Sequence, residues 1–396
     1  MSGTDIGVYG LGTMGSALAL NLAEKGFSVS ITNLEPDWID GLVQEAGPLA
    51  TQLRPERSLE EFVAGLRAPR VVLFMIPSGA PMDQMLAKIT PLLDPGDTVI
   101  DGGNANFHDT VRRNRDLDAQ SLHFVGLGVS GGEDGARHGP SMMMGGSAQS
   151  WARVRPMLDA IAAHYNGDPC VARVGPDGAG HFVKTVHNGI EYADMQMMAE
   201  IYGVLRDGSG WAASRIGDLF ETWRDGPLDS FLIEATARAL KSFDTETGQP
   251  MVDVIRDAAG QKGTGRWTVI EALQLGQSAS TIEAAVGARS WSAGSDTRAA
   301  GAQVLPPEAA HVSEVSPTDL ESALLAGRVI GHAQGFDILA AASAEKGWNL
   351  DLPRIAEIWR AGCIIRSALL NDIASALHAG PPHAALLLSE PMISVL

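Results

Sequence analysis

The stretch Ile6-Gly-Val-Tyr-Gly10-Leu-Gly12-Thr-Met-Gly15-Ser-Ala-Leu-Ala-Leu20 decides the fold. A short β-branched run, Ile6 to Tyr9, enters a glycine turn, and a helical run to Glu24 leaves it. In that setting Gly10 allows the tight turn and Gly12 lets backbone N–H groups approach a pyrophosphate. Gly15 lets the helix pack close to the sheet. Glycine is common enough that the pattern alone says little. Placed between a strand and a helix, the residues Gly10, Leu11, Gly12, Thr13, Met14 and Gly15 read as a dinucleotide site. The next strand, Val29 to Thr32, ends at Asn33-Leu34-Glu35-Pro36, with Glu35 20 residues past Gly15. An acid at that spacing takes the adenosine ribose hydroxyls and repels a 2′-phosphate. The plainer alternative for Glu35 is a solvated turn acid.

Outward from this motif, strands are expected at Val71–Ile76, Thr98–Asp101, His123–Gly126 and Cys170–Arg173. Helices are expected at Gly15–Glu24, Leu59–Leu66 and Pro81–Leu92. Alternation of this kind implies an α/β, Rossmann-like doubly wound parallel sheet with both faces covered. After Gly180 the pattern becomes helical, with expected stretches at His181–Leu205, Ser230–Phe243, Ser278–Ser292, Leu320–Lys346 and Arg354–Leu377. The boundary falls in Gly175-Pro-Asp-Gly-Ala-Gly180, which predicts a dinucleotide-binding domain over 1–178 and an all-α substrate and dimerisation domain over 179–396. Leu305–Ala310 reads as a loop.

The 396 residues are 45% hydrophobic and 19% charged, a globular profile and not a disordered one. Lys and Arg number 29 against 47 Asp and Glu, a formal charge of −18. A field of that sign opposes nucleic-acid and anionic-membrane binding, so an anionic ligand needs a local group of cations. Cys170 and Cys363 form no disulfide framework and no zinc spacing. No basic leader or membrane-length apolar run is visible. A cytoplasmic, metal-free protein acting on a small molecule is expected.

The densest chemistry lies in Gly178-Ala-Gly-His-Phe-Val-Lys184-Thr-Val-His187-Asn188-Gly-Ile-Glu191-Tyr192. Lys184, His187, Asn188 and Glu191 fall at i, i+3, i+4 and i+7 and share one helix face. Lys184 and Glu191 then stand about 10 Å apart along the axis, leaving space for a short polyol acid between a base and an acid. Phe182, Val183, Val186 and Ile190 supply the apolar sides. Asp101-Gly-Gly-Asn104 follows a strand at the sheet edge where ligands bind in this fold. Val129-Ser130-Gly131-Gly132-Glu133 is a second glycine-rich loop. Gln261-Lys262-Gly-Thr264-Gly-Arg266-Trp267 gathers two cations and a hydroxyl suited to a phosphate.

These motifs, with Ala288-Arg289, Ala333-Gln-Gly-Phe336 and Arg360-Ala-Gly-Cys-Ile-Ile-Arg366, resemble the 6-phosphogluconate dehydrogenase family of the β-hydroxyacid dehydrogenase superfamily. The resemblance runs in order along nearly the whole chain. It implies the decarboxylating oxidation of the pentose phosphate pathway, 6-phosphogluconate to ribulose 5-phosphate and CO2, by a homodimer. By position, Lys184 is then the general base and Glu191 the general acid. Asn104, Ser130, Gly131, Gly132, His187 and Asn188 hold the sugar acid, and Tyr192, Lys262, Thr264 and Arg289 hold its phosphate. Ile76 and Asn104 join the glycine turn, Asn33, Leu34 and Glu35 on the cofactor. The first step calls for a neutral Lys184, which desolvation favours.

Three positions depart from the family's pattern. Its NADP-binding Asn-Arg-Thr or Asn-Arg-Ser appears as Asn33-Leu34-Glu35, and a cofactor-side Val-Lys-Ala-Gly appears as Ile76-Pro77-Ser78-Gly79. NAD is therefore expected over NADP. The chain also stops at Leu396, before the tail that in the family brings an Arg and a His to the partner's substrate phosphate. A diverged family member, an NAD(H)-dependent enzyme of another phosphorylated or phosphonate hydroxy acid, is the first alternative. An inactive nucleotide-binding interaction protein is the second, which retention of Lys184 and Glu191 opposes.

Overall fold

The computed structural model describes residues 3–305, 312, 315–380 and 385–396. Beyond Leu305, the loop expected at Leu305–Ala310 lies outside the described residues. Ten strands occur among the described residues: β1 Ile6–Tyr9, β2 Val29–Thr32, β3 Leu53–Pro55, β4 Val71–Phe74, β5 Thr98–Asp101, β6 His123–Val129, β7 Met142–Gly145, β8 His164–Tyr165, β9 Asp168–Pro169 and β10 Val171–Gly175. Eight of them form one sheet in the order β10-β7-β6-β5-β4-β1-β2-β3, and β8 and β9 make a separate hairpin. From β3 to β6 every pairing is parallel. The exception to the expected parallel sheet is β7, which runs antiparallel to β6 and carries β10 with it. The connection 130–141 holds only a short helix, and an antiparallel return needs less chain than a parallel crossover.

The helices of this part are α1 Thr13–Glu24, α2 Pro36–Ala46, α3 Leu59–Ala64, α4 Ala80–Ile89, α5 Phe107–Asp118, α6 Gly132–His138 and α7 Ala148–Ile161. Successive strand residues point to opposite faces, and the core divides accordingly. Val71, Leu73, Ile100 and Val125 pack with Leu18 and Leu22 of α1. Val72, Phe74, Val99 and Phe124 pack with Phe62 and Leu86 on the opposite face. Both faces of the sheet are thus dry, which explains strands that read as unbroken apolar runs.

The remaining helices are α8 Ala179–Gly203, α9 Ala213–Thr222, α10 Phe231–Lys241, α11 Met251–Val254, α12 Thr264–Gln274, α13 Ser280–Ala293, α14 Ser295–Val304, α15 Pro317–Lys346, α16 Leu352–Ile358, α17 Leu369–Ala379 and α18 Glu390–Val395. The chain divides into two compact units, Met1–Thr185 with Lys346–Ile364 and Val186–Glu345 with Ile365–Leu396. α8 runs through this division, and residues 346–364 join the first unit. There Ser141 Oγ donates to Ile358 O at 2.6 Å, and Arg354 Nη2 donates to Pro169 O at 2.8 Å.

The single helix expected over Arg354–Leu377 is two. α16 ends at Ile358, and Gly362 in the segment beyond it has φ +70°, a left-handed conformation through which no α-helix continues. Its carbonyl accepts from Ser141 N–H at 2.8 Å instead, and Arg366 O accepts from Phe231 N–H at 3.1 Å in the second unit. The second unit has a charged centre. Arg328 and Asp194, both almost fully buried, face each other at 3.4 Å. Arg328 also donates to Leu228 O at 3.1 Å, and His332 Nδ1 donates to Arg328 O at 2.8 Å. Burial pushes the His332 pKa down and keeps the ring neutral.

Candidate active site

The sheet order β3-β2-β1-β4-β5-β6 reverses direction at β1 and β4, the switch point where open α/β sheets bind ligands beyond the carboxyl ends of their strands. Gly10 leaves β1 with φ +96°, which a side chain would strain. A Cβ on Gly15 would lie 1.8 Å from Gly10 O, so α1 approaches the turn as closely as backbone permits. Gly12 is the N-cap of α1 and contributes no side-chain cap. The first N–H groups of α1 therefore remain available to an anion, as a pyrophosphate requires. These residues fit a dinucleotide.

At the end of β2, Asn33 Oδ1 accepts from Leu11 N–H at 2.9 Å and so ties β2 to the glycine turn. Asn33 Nδ2 donates to Glu35 Oε2 at 2.8 Å, holding that carboxylate beside the turn. Leu34 is 75% exposed. Arg57, whose Nη1 donates to Pro36 O at 3.4 Å, already has an acidic partner in Asp40. Trp38, half-exposed on α2, is the nearest atom source to a Cβ on Gly12, at 3.7 Å. The sequence reading missed it; its signal is an aromatic in the first turn of the helix that Glu35 caps.

Ile76, Asn104 and Ser130-Gly131-Gly132 follow the carboxyl ends of β4, β5 and β6. Asn104 and Gly132 are exposed, while Ser130 is buried, its N–H bonded to Ser141 O at 3.0 Å. Lys184 stands on the second turn of α8 and is only 5% exposed. Its stem crosses β6 where a Cβ on Gly128 would lie 2.5 Å from Lys184 Cβ. One turn earlier, a Cβ on Gly180 would lie 2.3 Å from Gly126 O. Absent side chains at these glycines bring α8 directly onto the sheet backbone and deliver Lys184 to the end of β6.

The second unit holds the rest of the stripe. His187 is buried, and Asn188 and Glu191 are half-buried. His187 Nδ1 and Asn188 Oδ1 are 3.1 Å apart, and Asn188 Nδ2 donates to Thr264 Oγ1 at 3.1 Å. Thr264 opens α12, whose N-cap Gly263 is left-handed and adds no side-chain cap. The Arg289 guanidinium from α13 lies 4.5 Å over the Tyr192 ring, and its Nη1 donates to Gly260 O at 2.6 Å. Tyr192, Thr264 and Arg289 thus come together with Asn188. Lys262 lies exposed just before them.

A Rossmann sheet with an uncapped glycine turn at its switch point, and a buried lysine on the helix that leaves it, define an NAD(P)-dependent dehydrogenase. The comparisons narrow that class. Residues 5–175 match the NAD binding domain of 6-phosphogluconate dehydrogenase, and residues 180–396 match the 6-phosphogluconate dehydrogenase C-terminal domain. A decarboxylating 6-phosphogluconate dehydrogenase of Saccharomyces cerevisiae is 45% identical over 98% of this chain and 79% of its own length. Two Bacillus subtilis relatives, one NADP(+)-dependent and one NAD(+)-dependent, are each 44% identical over 98% and 97% of this chain and 84% and 82% of theirs. The solved Plasmodium falciparum 6-phosphogluconate dehydrogenase, seen with NADP+ and with 6-phosphogluconate, superposes with TM-score 0.94 at 34% identity, covering 98% of this chain and 85% of that one. The chain belongs to the 6-phosphogluconate dehydrogenase family. Among the described residues, no helix is long and apolar enough to cross a membrane.

Proposed function

We propose that this enzyme oxidatively decarboxylates 6-phosphogluconate to ribulose 5-phosphate and CO2, with NAD preferred over NADP. The observation that carries the reading is α8, with buried Lys184 in line with His187, Asn188 and Glu191 and with Asn188 bonded to Thr264. Bound nicotinamide supplies the hydride acceptor. Lys184, as the neutral amine, takes the proton of the C3 hydroxyl as hydride leaves C3. The protonated Lys184 then polarises the C3 ketone, so that the carboxylate leaves as CO2 and the electrons settle on the C3 oxygen. Glu191 protonates C1 of the enediol. Asn104, Ser130, Gly131, Gly132, His187 and Asn188 hold the carboxylate and hydroxyls. The phosphate falls to Lys262, Arg289, Tyr192 and Thr264 at the N-terminus of α12. Gly10 to Gly15, Asn33, Leu34, Glu35, Ile76 and Asn104 take the cofactor.

The NAD preference rests on charge. A 2′-phosphate calls for a cation beyond β2, and Leu34 and Glu35 stand there, with the Arg57 that reaches Pro36 O paired to Asp40. Leu34→Arg with Glu35→Thr is expected to move the ratio of kcat/KM values toward NADP by about tenfold or more, the worth of a charge-assisted hydrogen bond. Parallel assays of 6-phosphogluconate with NAD and NADP test the preference, and a wild-type enzyme faster with NADP contradicts it.

A homodimer is part of the reading. The second unit exposes Ile270, Leu273 and Trp291, with Trp291 71% accessible, which is apolar surface suited to a second copy. Sedimentation at micromolar concentration is expected to give a dimer. A fully active monomer contradicts this.

A further inference from the structure

We propose that His181, with Asp101, Thr110 and Arg113, forms a buried positioning network that fixes the turn bearing Asn104 and the loop after β4 against the first turn of α8, and through it places Lys184. The proposal rests on the reading of Lys184 and Asn104 as site residues. None of the four network residues is among those assigned to substrate or cofactor.

His181 is almost fully buried, one helical turn before Lys184. Its Nε2 lies 3.1 Å from Asp101 O, the last carbonyl of β5, and its Nδ1 lies 2.7 Å from Thr110 Oγ1 on α5. A carbonyl only accepts, so Nε2 carries the proton and Nδ1 accepts from the threonine hydroxyl. One tautomer of the neutral ring satisfies both contacts, and burial, which pushes the His181 pKa down, favours that neutral ring. The packing leaves no slack: a Cβ on Gly126 would lie 2.7 Å from Thr110 Cγ2 and 2.8 Å from His181 Nδ1.

From Asp101 the network continues through its carboxylate. Oδ1 accepts from Gly103 N–H at 3.0 Å, which closes the turn that presents Asn104. Oδ2 faces Arg113 Nη1 at 3.4 Å, with both side chains 1% exposed. Arg113 Nη2 donates to Gly79 O at 2.9 Å, and its Nε donates to Asp83 Oδ1 at 2.8 Å. Gly79 ends the loop that begins after β4 and contains Ile76, and it caps α4. One connected set of hydrogen bonds therefore joins the helix of the base, the turn of a substrate residue and the loop of a cofactor residue. Buried polar groups satisfied in this way hold a single arrangement, because every alternative leaves a buried donor or acceptor unpaired. A displacement of about 1 Å at reacting groups costs up to about a hundredfold in rate.

The test uses Thr110→Val, His181→Leu and His181→Gln in the full chain. Thr110→Val removes the hydroxyl while keeping the shape, and His181→Gln retains a donor near the position of Nε2. Thr110→Val and His181→Leu are expected to lower kcat/KM for 6-phosphogluconate about ten- to a hundredfold. Affinity for NAD should fall less than kcat/KM does, since the glycine turn is untouched and only the Asn104 turn and the Ile76 loop are loosened. The deuterium isotope effect with C3-deuterated substrate should rise as hydride transfer becomes limiting. His181→Gln should recover part of the loss, and amide exchange at 101–106 should quicken in Thr110→Val. Wild-type kinetics in both Thr110→Val and His181→Leu, beside an inactive Lys184→Met, overturn the positioning role and leave the assignment of Lys184 standing. Should the wild-type enzyme itself not turn over 6-phosphogluconate, the reading of the site falls, and exchange at 101–106 judges the network alone. Unchanged exchange overturns it; faster exchange supports it. If His181→Leu does not fold, Thr110→Val and His181→Gln carry the same comparison.

Discussion

Lys184→Met is expected to abolish practical NADH formation from 6-phosphogluconate, a loss toward the upper end of about 10²–10⁴-fold for the base that starts the reaction. Methionine keeps an unbranched stem that fits beside Gly128, where a Cβ would come within 2.5 Å of Lys184 Cβ, so the fold tolerates the change. The amine alone is lost. The glycine turn lies at the end of β1, so NAD affinity read by titration should stay near the wild-type value. Glu191→Gln keeps the shape of the acid and removes its proton, and it should slow turnover by about 10²–10⁴-fold at the protonation that follows decarboxylation. Near-normal turnover in Lys184→Met would sink the mechanism proposed for this enzyme.

Gly15→Ala should remove cofactor binding by a different route. The added Cβ would lie 1.8 Å from Gly10 O and 3.1 Å from Met75 Cβ. Backbone on one side and β4's continuation on the other leave it no path, so α1 must back away from the turn. Overpacking of this kind typically costs about 1–3 kcal/mol in stability, and the retreat carries the N-terminal N–H groups of α1 away from the pyrophosphate. The expected result is a lower melting temperature that NAD no longer raises. A variant that melts like wild type and is stabilised equally by NAD contradicts the assignment of this turn.

Much of the first unit is legible in its sequence because its signals are local. β1, β2 and β5 occupy the expected residues, since each is a β-branched run bounded by glycine, proline or a polar turn. α8 is equally plain, with Phe182, Val183, Val186 and Ile190 fully buried behind the polar stripe. β7 is not legible. Met142-Met-Met-Gly145 has little strand propensity and earns its pairing from neighbours on both sides, β6 and β10. α5 hides for a similar reason, because Phe107–Asp118 is dominated by charged and polar residues that blur its apolar period. The break at Gly362 is set by contacts far along the chain: a Cβ there would lie 2.6 Å from Gly139 O. The same holds at the site. The stripe on α8 follows from spacing, whereas the pairing of Asn188 with Thr264, and of Tyr192 with Arg289, is tertiary. His181 precedes Lys184 by one turn in the sequence, yet its tie to Asp101 appears only once β5 and α8 are packed.

The most direct test of the account is turnover of 6-phosphogluconate labelled with ¹³C at C1, with NAD and the wild-type enzyme. Labelled CO2 and NADH are predicted in equal amounts, with the five-carbon product free of label. NADH without labelled CO2 would show oxidation uncoupled from decarboxylation, and neither product would show a different substrate; either result contradicts the function proposed here.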